Sequence, residues 1–397
     1  MRKPYRAALT ATFLLTATPL LAQNPCPGFN VVVNTPEDQL MLAINGAEKP
    51  EDQIAALDKF TQANAESKFM SCANEYYTIT YVKLGNFDKA IEYGEKDLAA
   101  NYQDLSLMVN LLKAYVGAGK ATDQAFDIIA KAPDQIKKET TPSHPSNASD
   151  AEWQKIQQDA AELAKDVAAY MGYAFFQLLP RVTDPAKRIT LLGQFEKSYP
   201  DADTQYAAQI NSQYFMAYEM AGQSDKADPY GEKALAADAN NVEVLNLVAY
   251  DYANLRTNLD KASDYAKKVV TLVPAMKKPD SEADDQFKAE QNNQLGMAHL
   301  TLGYVSFQKA ALAKTRKVAP AIQELKAAVD LLSGNPALQG GALFYLANCY
   351  EYNLPPSHRD ALEALNKAVA IQSPWQGPAR DLLAKVKVAA AKRTEPE

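Results

Sequence analysis

Residues 81–100 (YVKLGNFDKAIEYGEKDLAA) and 218–237 (YEMAGQSDKADPYGEKALAA) carry one pattern of aromatic, small and polar positions twice. Tyr81 and Tyr218, Gly85 and Gly222, Ala90 and Ala227, Tyr93 and Tyr230, Gly94 and Gly231, and Leu98 and Leu235 all stand 137 residues apart. Each segment reads as one helical hairpin. The first tyrosine ends a helix, the glycine makes the turn, and the alanine sits where the second helix crosses the first, an approach open only to a small side chain.

A second level of repetition surrounds this one. Phe60 followed by Ala65-Glu66-Ser67 matches Phe195 followed by Pro200-Asp201-Ala202 at a spacing of 135, and Tyr115 and Ala125 match Tyr252 and Ala262 at 137. Residues 37–138 and about 170–275 therefore predict two copies of a three-hairpin module, the second assigned to 151–275 as a domain. Between them, 139–150 is rich in Thr, Ser and Pro and predicts a loop, with Asp150 as N-cap of the next helix. The section 276–374 is stretched. Ala262 and Ala321 lie 59 apart, which predicts one unusually long helix near 283–313 carrying Gly296 and Gly303. In 375–397, Leu382, Leu383 and Val386 fall on one face, with Arg380, Lys385 and Lys387 on the other. That pattern predicts a closing helix with one wet side.

Four segments carry a more specific likeness. The residues are Tyr77, Tyr81, Gly85, Ala90 and Leu98 in 71–104, and Tyr214, Tyr218, Gly222, Ala227, Ala234 and Leu235 in 208–241. They continue with Tyr252, Ala262, Ala266, Val270 and Pro274 in 242–275, and with Leu346, Ala347, Tyr350, Ala361, Leu365 and Ala368 in about 340–374. This pattern resembles the tetratricopeptide repeat family, a hairpin of about 34 residues. The family's first-helix tryptophan is missing, and Tyr102 and Ala239 replace closing prolines. The resemblance implies an all-α, right-handed superhelical α-solenoid of about eight hairpins with a C-terminal capping helix.

Composition agrees with helices, since glycine is scarce at 16 in 397 residues. Arg2, Lys3 and Arg6 precede the apolar run Ala7 to Ala22, and this reads as a signal peptide of 1–22 cleaved after Ala22, before an extended segment 23–36. The expected compartment is periplasmic or extracellular. Cleavage removes three cations and no acid, which moves the net charge from −7 to −10. That field disfavours nucleic acid and anionic membrane surfaces, and no stable membrane insertion is expected after cleavage. An exported chain can oxidise Cys26 with Cys72, the sequence-near pairing, while Cys349 reads as a small buried hydrophobe.

Candidate chemistry is thin. His144, His299 and His358 are scattered, no Cys-x-x-Cys or His-x-x-x-His pair is present, and Gly340-Gly341 lacks the lysine of a phosphate loop. No catalytic, cofactor-binding or metal-binding residue is assigned, and a non-enzyme is expected. By the resemblance, first helices line a concave groove. Its candidate ligand-facing residues are Tyr76 and Lys83 in one repeat, and Gln213, Met216 and Glu219 in another. Asn246, Tyr250 and Asn254 follow in the next, and Tyr345, Asn348 and Glu351 in the last. With Lys83 the one cation among them, a clamp for a carboxylate end is disfavoured, whereas amides suit an extended peptide. Three functions stay open: a non-catalytic protein- or peptide-binding scaffold, an envelope-assembly accessory factor suggested by the Phe195 to Ala202 segment, and an enzyme assembled from distant residues.

Overall fold

The computed structural model describes residues 31–99, 104–279 and 283–392. The expected signal peptide at 1–22 and Cys26 lie outside the described residues. The chain is helical, with no strand among the described residues, and divides after Tyr206 into two compact units.

The first unit contains α1 (Pro36–Gly46), α2 (Pro50–Ala63), α3 (Met70–Lys83), α4 (Phe87–Ala99), α5 (Leu105–Ala118) and α6 (Asp123–Glu139). It continues with α7 (Asp150–Leu178), α8 (Pro185–Ser198) and the single turn α9 (Ala202–Gln205). The second unit contains α10 (Ala207–Met220), α11 (Ser224–Ala237), α12 (Val242–Leu255), α13 (Leu259–Leu272) and α14 (Asp284–Leu312). It ends with α15 (Ala319–Leu331), α16 (Pro336–Tyr352), α17 (His358–Ala370) and α18 (Gln376–Lys392).

The hairpin turns show why the tyrosine–glycine spacing recurs. After α3 the Asn86 N–H donates to the Tyr81 carbonyl at 2.9 Å, and after α10 the Gln223 N–H donates to the Tyr218 carbonyl at 2.9 Å. The bond needs a left-handed residue between, and Gly85 and Gly222 each take φ 69°. Lys120 to Tyr115 and Thr257 to Tyr252 repeat the bond, both at 2.9 Å. There the left-handed residues are Gly119 (φ 65°) and Arg256 (φ 56°).

Close crossings use the other glycines. A Cβ on Gly94 would lie 2.8 Å from Leu111 Cδ1, and one on Gly231 would lie 2.5 Å from Val248 Cγ2. Leu111 and Val248 are again 137 apart. Ala90 and Ala227 are fully buried. Beside each crossing three tyrosines stack. Tyr77 and Tyr93 are 4.1 Å apart with Tyr81 against them, and Tyr214 and Tyr230 are 4.7 Å apart with Tyr218 against them. The duplication therefore preserves side-chain contacts as well as backbone.

Elsewhere the packing differs. Helices α7 and α8 meet through rings, with Phe175 stacked on Phe195 at 4.2 Å and Phe176 edge-on to Phe195 at 5.6 Å. Helix α7 is capped by Ser149, whose hydroxyl accepts the Glu152 N–H while the Glu152 carboxylate accepts the Ser149 N–H at 2.8 Å. Asp150, expected as the N-cap, is instead the first helical residue. The reciprocal Ser-x-x-Glu pair fixes the start one residue earlier. Helix α14 is the long helix expected from the stretched interval, and its Gly296 and Gly303 admit Leu332 and Leu325. Helix α18 buries Ala379, Leu383 and Val386 and leaves Arg380, Lys385 and Lys387 exposed.

Cys72 is disulfide-bonded. Cys349 is a free thiol, fully buried in α16, and burial pushes its pKa up to about 12.

Candidate functional site

Nine of the eleven expected groove residues fall into three groups, with Gln213 and Glu219 standing apart. The first is closed to a ligand. Tyr76 is 8% exposed, and burial together with the Glu75 charge pushes its hydroxyl up to about 12. Tyr345 is 8% exposed and stacks on Tyr304 at 3.9 Å, its hydroxyl raised by burial and by the Tyr304 hydrogen bond. Asn246 is 1% exposed, and its amide donates to the Gln294 carbonyl at 3.0 Å and to Gln294 Oε1 at 2.6 Å. Asn246 and Tyr345 tie α12 and α16 to α14. Periodicity placed all three on first helices, but the packing within each residue's own unit then covered them.

The second group is engaged but half-buried. Asn348 donates to the Phe344 carbonyl of its own helix at 2.8 Å, and Glu351 accepts from His358 Nδ1 at 2.9 Å. Met216 and Tyr250 pack against the core of the second unit. The third group is open: Lys83 and Asn254 are exposed at the ends of α3 and α12.

Comparing the two copies at their 137-residue interval exposes a different set. Tyr76, Val82, Ile91 and Val109 in the first copy become Gln213, Glu219, Asp228 and Asn246 in the second. Four aromatic or apolar side chains are exchanged for four polar ones on an otherwise repeated scaffold. Within the described residues, nothing donates to Gln213 Oε1, Glu219 Oε1, Asp228 Oδ1 or Asn246 Oδ1, all of which are shielded from solvent. Gln308 Oε1 on α14 is in the same condition, although its amide donates to the Ala253 carbonyl at 2.8 Å.

Burial of such acceptors without donors is costly. The Asp228 carboxyl records that cost. Its pKa is raised to about 6 by burial, with the charges of Glu219, Glu232 and Asp225 adding. On α12, Glu243 is raised to about 7 by burial and by Glu290. Glu219 and Asp228 thus offer acceptors and negative charge, which suit N–H groups or a cation, whereas Gln213 at 7% exposure and Asn246 at 1% are as closed to a ligand as Tyr76. Gln213 and Glu219 were expected at a groove; Asp228 was missed, because its position belongs to a second helix. Reading the two copies side by side would have found it, since an aspartate there replaces a buried isoleucine.

Adjacent acceptors show the same positions fully satisfied. Glu95 accepts the Tyr115 hydroxyl at 2.5 Å, and its counterpart Glu232 accepts Tyr252 at 2.6 Å, Tyr265 at 3.0 Å and Lys261 at 3.1 Å. Glu232 is held below its ordinary pKa because these donors outweigh burial.

In the first unit, a groove of about 780 Å³ lies between α6 and α8. Phe126 and Leu191 are among its apolar lining, with Asp123, Asp127 and Lys197 also lining it. Lys187 pairs with Asp123 and Lys131 with Asp127. The Asp97 carboxyl, also in this unit, is raised to about 7 by burial, opposed by the Ser71 hydroxyl and assisted by the Asp104 charge.

The histidines do not gather. His299 bonds Glu324 at 2.6 Å between α14 and α15, His358 bonds Glu351, and His144 is exposed in the loop before α7. No group of three metal-ligating side chains occurs among the described residues.

No protein-family model matches the chain, and no curated protein matches it. Solved structures similar to it include the C-terminal part of a TPR repeat-containing protein from Cytophaga hutchinsonii, 15% identical over 77% of this chain and 98% of that one, TM-score 0.40. A human IFIT1 dimer with m7Gppp-AAAA is 16% identical over 88% of this chain and 71% of that one, TM-score 0.31. Yeast Tom70 is 14% identical over 90% and 88%, TM-score 0.26. The repeat assignment rests on the molecule's own geometry: with turns, crossings and tyrosine stacks recurring in one register, the chain folds as a series of tetratricopeptide-type helical hairpins.

Proposed function

We propose that the chain is a non-catalytic scaffold that binds a protein or peptide segment across α10, α11 and α12 of its second unit. One observation carries this reading. The second copy places Glu219 and Asp228, half-buried acceptors that no described residue satisfies, where the first has Val82 and Ile91. An extended peptide supplies backbone N–H donors at regular intervals, and a lysine or arginine in it would answer Glu219 and Asp228. The half-buried Met216 and Tyr250 add apolar surface that tolerates varied sequences. Nucleic acid is a poor match for an acceptor-rich, acidic face.

The segment from Phe195 to Ala202, which suggested an envelope-assembly factor, is spent in packing: Phe195 and Ala202 are each 2% exposed. It favours no second reading.

The test is to pan a displayed peptide library on the purified chain. The same panning is then repeated with Glu219→Val and Asp228→Ile combined, the residues of the first copy. Enriched peptides should lose binding to the double variant while the fold becomes more stable. Peptides that bind both equally would remove this face as the site.

Export also belongs to the proposal. The sequence of 1–22 supports it, and a disulfide at Cys72 suits an oxidising compartment. N-terminal sequencing of the isolated protein should begin at Gln23.

A further inference from the structure

At the hairpin-turn edge of the second unit, four large apolar side chains stand in solvent. Met220 ends α10 and is 40% exposed; Leu255 ends α12 at 51%; Leu312 ends α14 at 75%; Leu354 follows α16 at 69%. They belong to successive hairpins, and side-chain contacts tie those turns side by side. Gln308 near the end of α14 donates to the Ala253 carbonyl near the end of α12, and Lys309 reaches Asp260 of α13 at 2.6 Å. Phe307 meets Tyr352 of α16 at 5.7 Å, and the Arg316 guanidinium lies over that tyrosine at 5.4 Å. Tyr252 on α12 feels the charge of Asp228 just beyond the α10 turn.

Two of these turns, after α12 and after α14, carry cations. Arg256 follows Leu255, and Lys314, Arg316 and Lys317 follow Leu312; all four are exposed. Of the acids nearby, Asp260 is paired with Lys309, while Asp360 keeps its charge under a hydrogen bond from Ser357 and the turn after α10 carries Glu219 and the exposed Asp225. Three of the cations sit where the backbone resists them. Arg256 takes φ 56°, and Lys314 and Arg316 each take φ 51°. The Thr315 N–H donates to the Ala310 carbonyl at 3.1 Å, so Lys314 occupies the turn position that Gly85, Gly119 and Gly222 fill elsewhere. A side chain in that left-handed conformation is disfavoured against glycine, and such outliers gather where the side chain has a task.

We propose that this edge docks on an anionic lipid surface, with Met220, Leu255, Leu312 and Leu354 entering the headgroup region and the flanking cations lying against phosphates. Each apolar side chain stands singly on its own turn. A bilayer interface yields at every such point, whereas a folded acidic partner would need a matching pocket for each. No helix among the described residues is long and apolar enough to cross a membrane, so the contact is peripheral. The net charge, −7 for the full chain and −10 once 1–22 are removed, acts weakly at this edge, because charges beyond a Debye length of about 8–10 Å are screened and the turns after α12 and α14 are locally basic. The inference is independent of the peptide-binding reading.

The experiment is flotation of the full chain with vesicles of phosphatidylcholine alone or of equimolar phosphatidylcholine and phosphatidylglycerol. The protein should float with the second and not the first, and added salt should release it. Changing Arg256, Lys314 and Lys317 to Glu should weaken binding by at least about fivefold per residue, on the order of a hundredfold or more together. Leu255→Ser with Leu312→Ser should also abolish flotation. All these side chains are exposed, so circular dichroism should stay unchanged; if the triple reversal unfolds, Lys314→Gln with Lys317→Gln carries the same test. Absence of flotation with anionic vesicles overturns the proposal. So does binding that survives both variant sets, which would trace to the apolar residues 7–22. Capture of an acidic protein that depends on these residues, without vesicle binding, would overturn it in favour of a protein partner.

Discussion

The hairpins at 71–138 and those at 208–275 share turns, crossings and tyrosine stacks, yet they bury different chemistry. Where the first copy places Ile91 and Val109, the second places Asp228 and Asn246. A duplicated scaffold has kept the contacts that define the fold and changed those that do not. The exchanged positions are therefore where a function separate from folding is to be sought. The exchange also works against stability, since a buried acceptor without a donor is worse than an apolar side chain of similar size.

The sharpest test of the shared part concerns the crossings. Gly231→Ala should lower the denaturant midpoint by an amount equal to about 2 kcal/mol, and Gly94→Ala by about 1 kcal/mol. The new methyl meets β-branched Val248 in one case and the mobile end of Leu111 in the other. Equal losses would mean that the two crossings respond alike and that the facing side chain is irrelevant.

The exchanged part predicts a gain. Asp228→Ile should raise stability by about 1–2 kcal/mol at neutral pH. A pH series separates the cause. With the folded carboxyl raised from 3.8 to about 6, the folded chain binds that proton more tightly than the unfolded one. The stability contributed at low pH is therefore lost as pH rises through this window, and it stays level above it. The isoleucine variant should lack that fall; a parallel profile would place the titration elsewhere, with Glu243 the next candidate.

A smaller effect separates the turns. Arg256→Gly should stabilise by about 1 kcal/mol, because it restores the residue type of Gly119 at a left-handed position. The reverse change, Gly119→Arg, should destabilise by more, because a Cβ there would also lie 2.7 Å from Arg181 Nη1. Smallest of all, Tyr115→Phe should cost about 0.5 kcal/mol and Tyr252→Phe less. Glu232 retains Tyr265 and Lys261 after the loss, whereas Tyr115 supplies the bond given to Glu95. Thermal midpoints of the two variants would rank them.

Much of this was legible in the chain. Glycine before a second helix, alanine at a crossing and tyrosine at a fixed offset are local requirements, so their spacing announced the hairpins, the long α14 and the closing α18. The start of α7 was displaced by one residue, because Ser149 and Asp150 are both good caps and only the reciprocal bond with Glu152 chooses between them. The groove was less legible. Helical periodicity says which side of a helix a residue occupies, not which neighbour covers that side. Asn246 is covered by Gln294, 48 residues away in sequence.

The sequence by itself determined the hairpin, its repetition and the 137-residue duplication, because those depend on short-range sterics and on a period. Tertiary structure alone decided which polar atoms lose water and find no donor, and which apolar ends stay in solvent. Both are matters of what packs against a residue from a distant helix. The cost of burying Asp228, and the exposure of Leu312, come into being only when the neighbouring helices are in place.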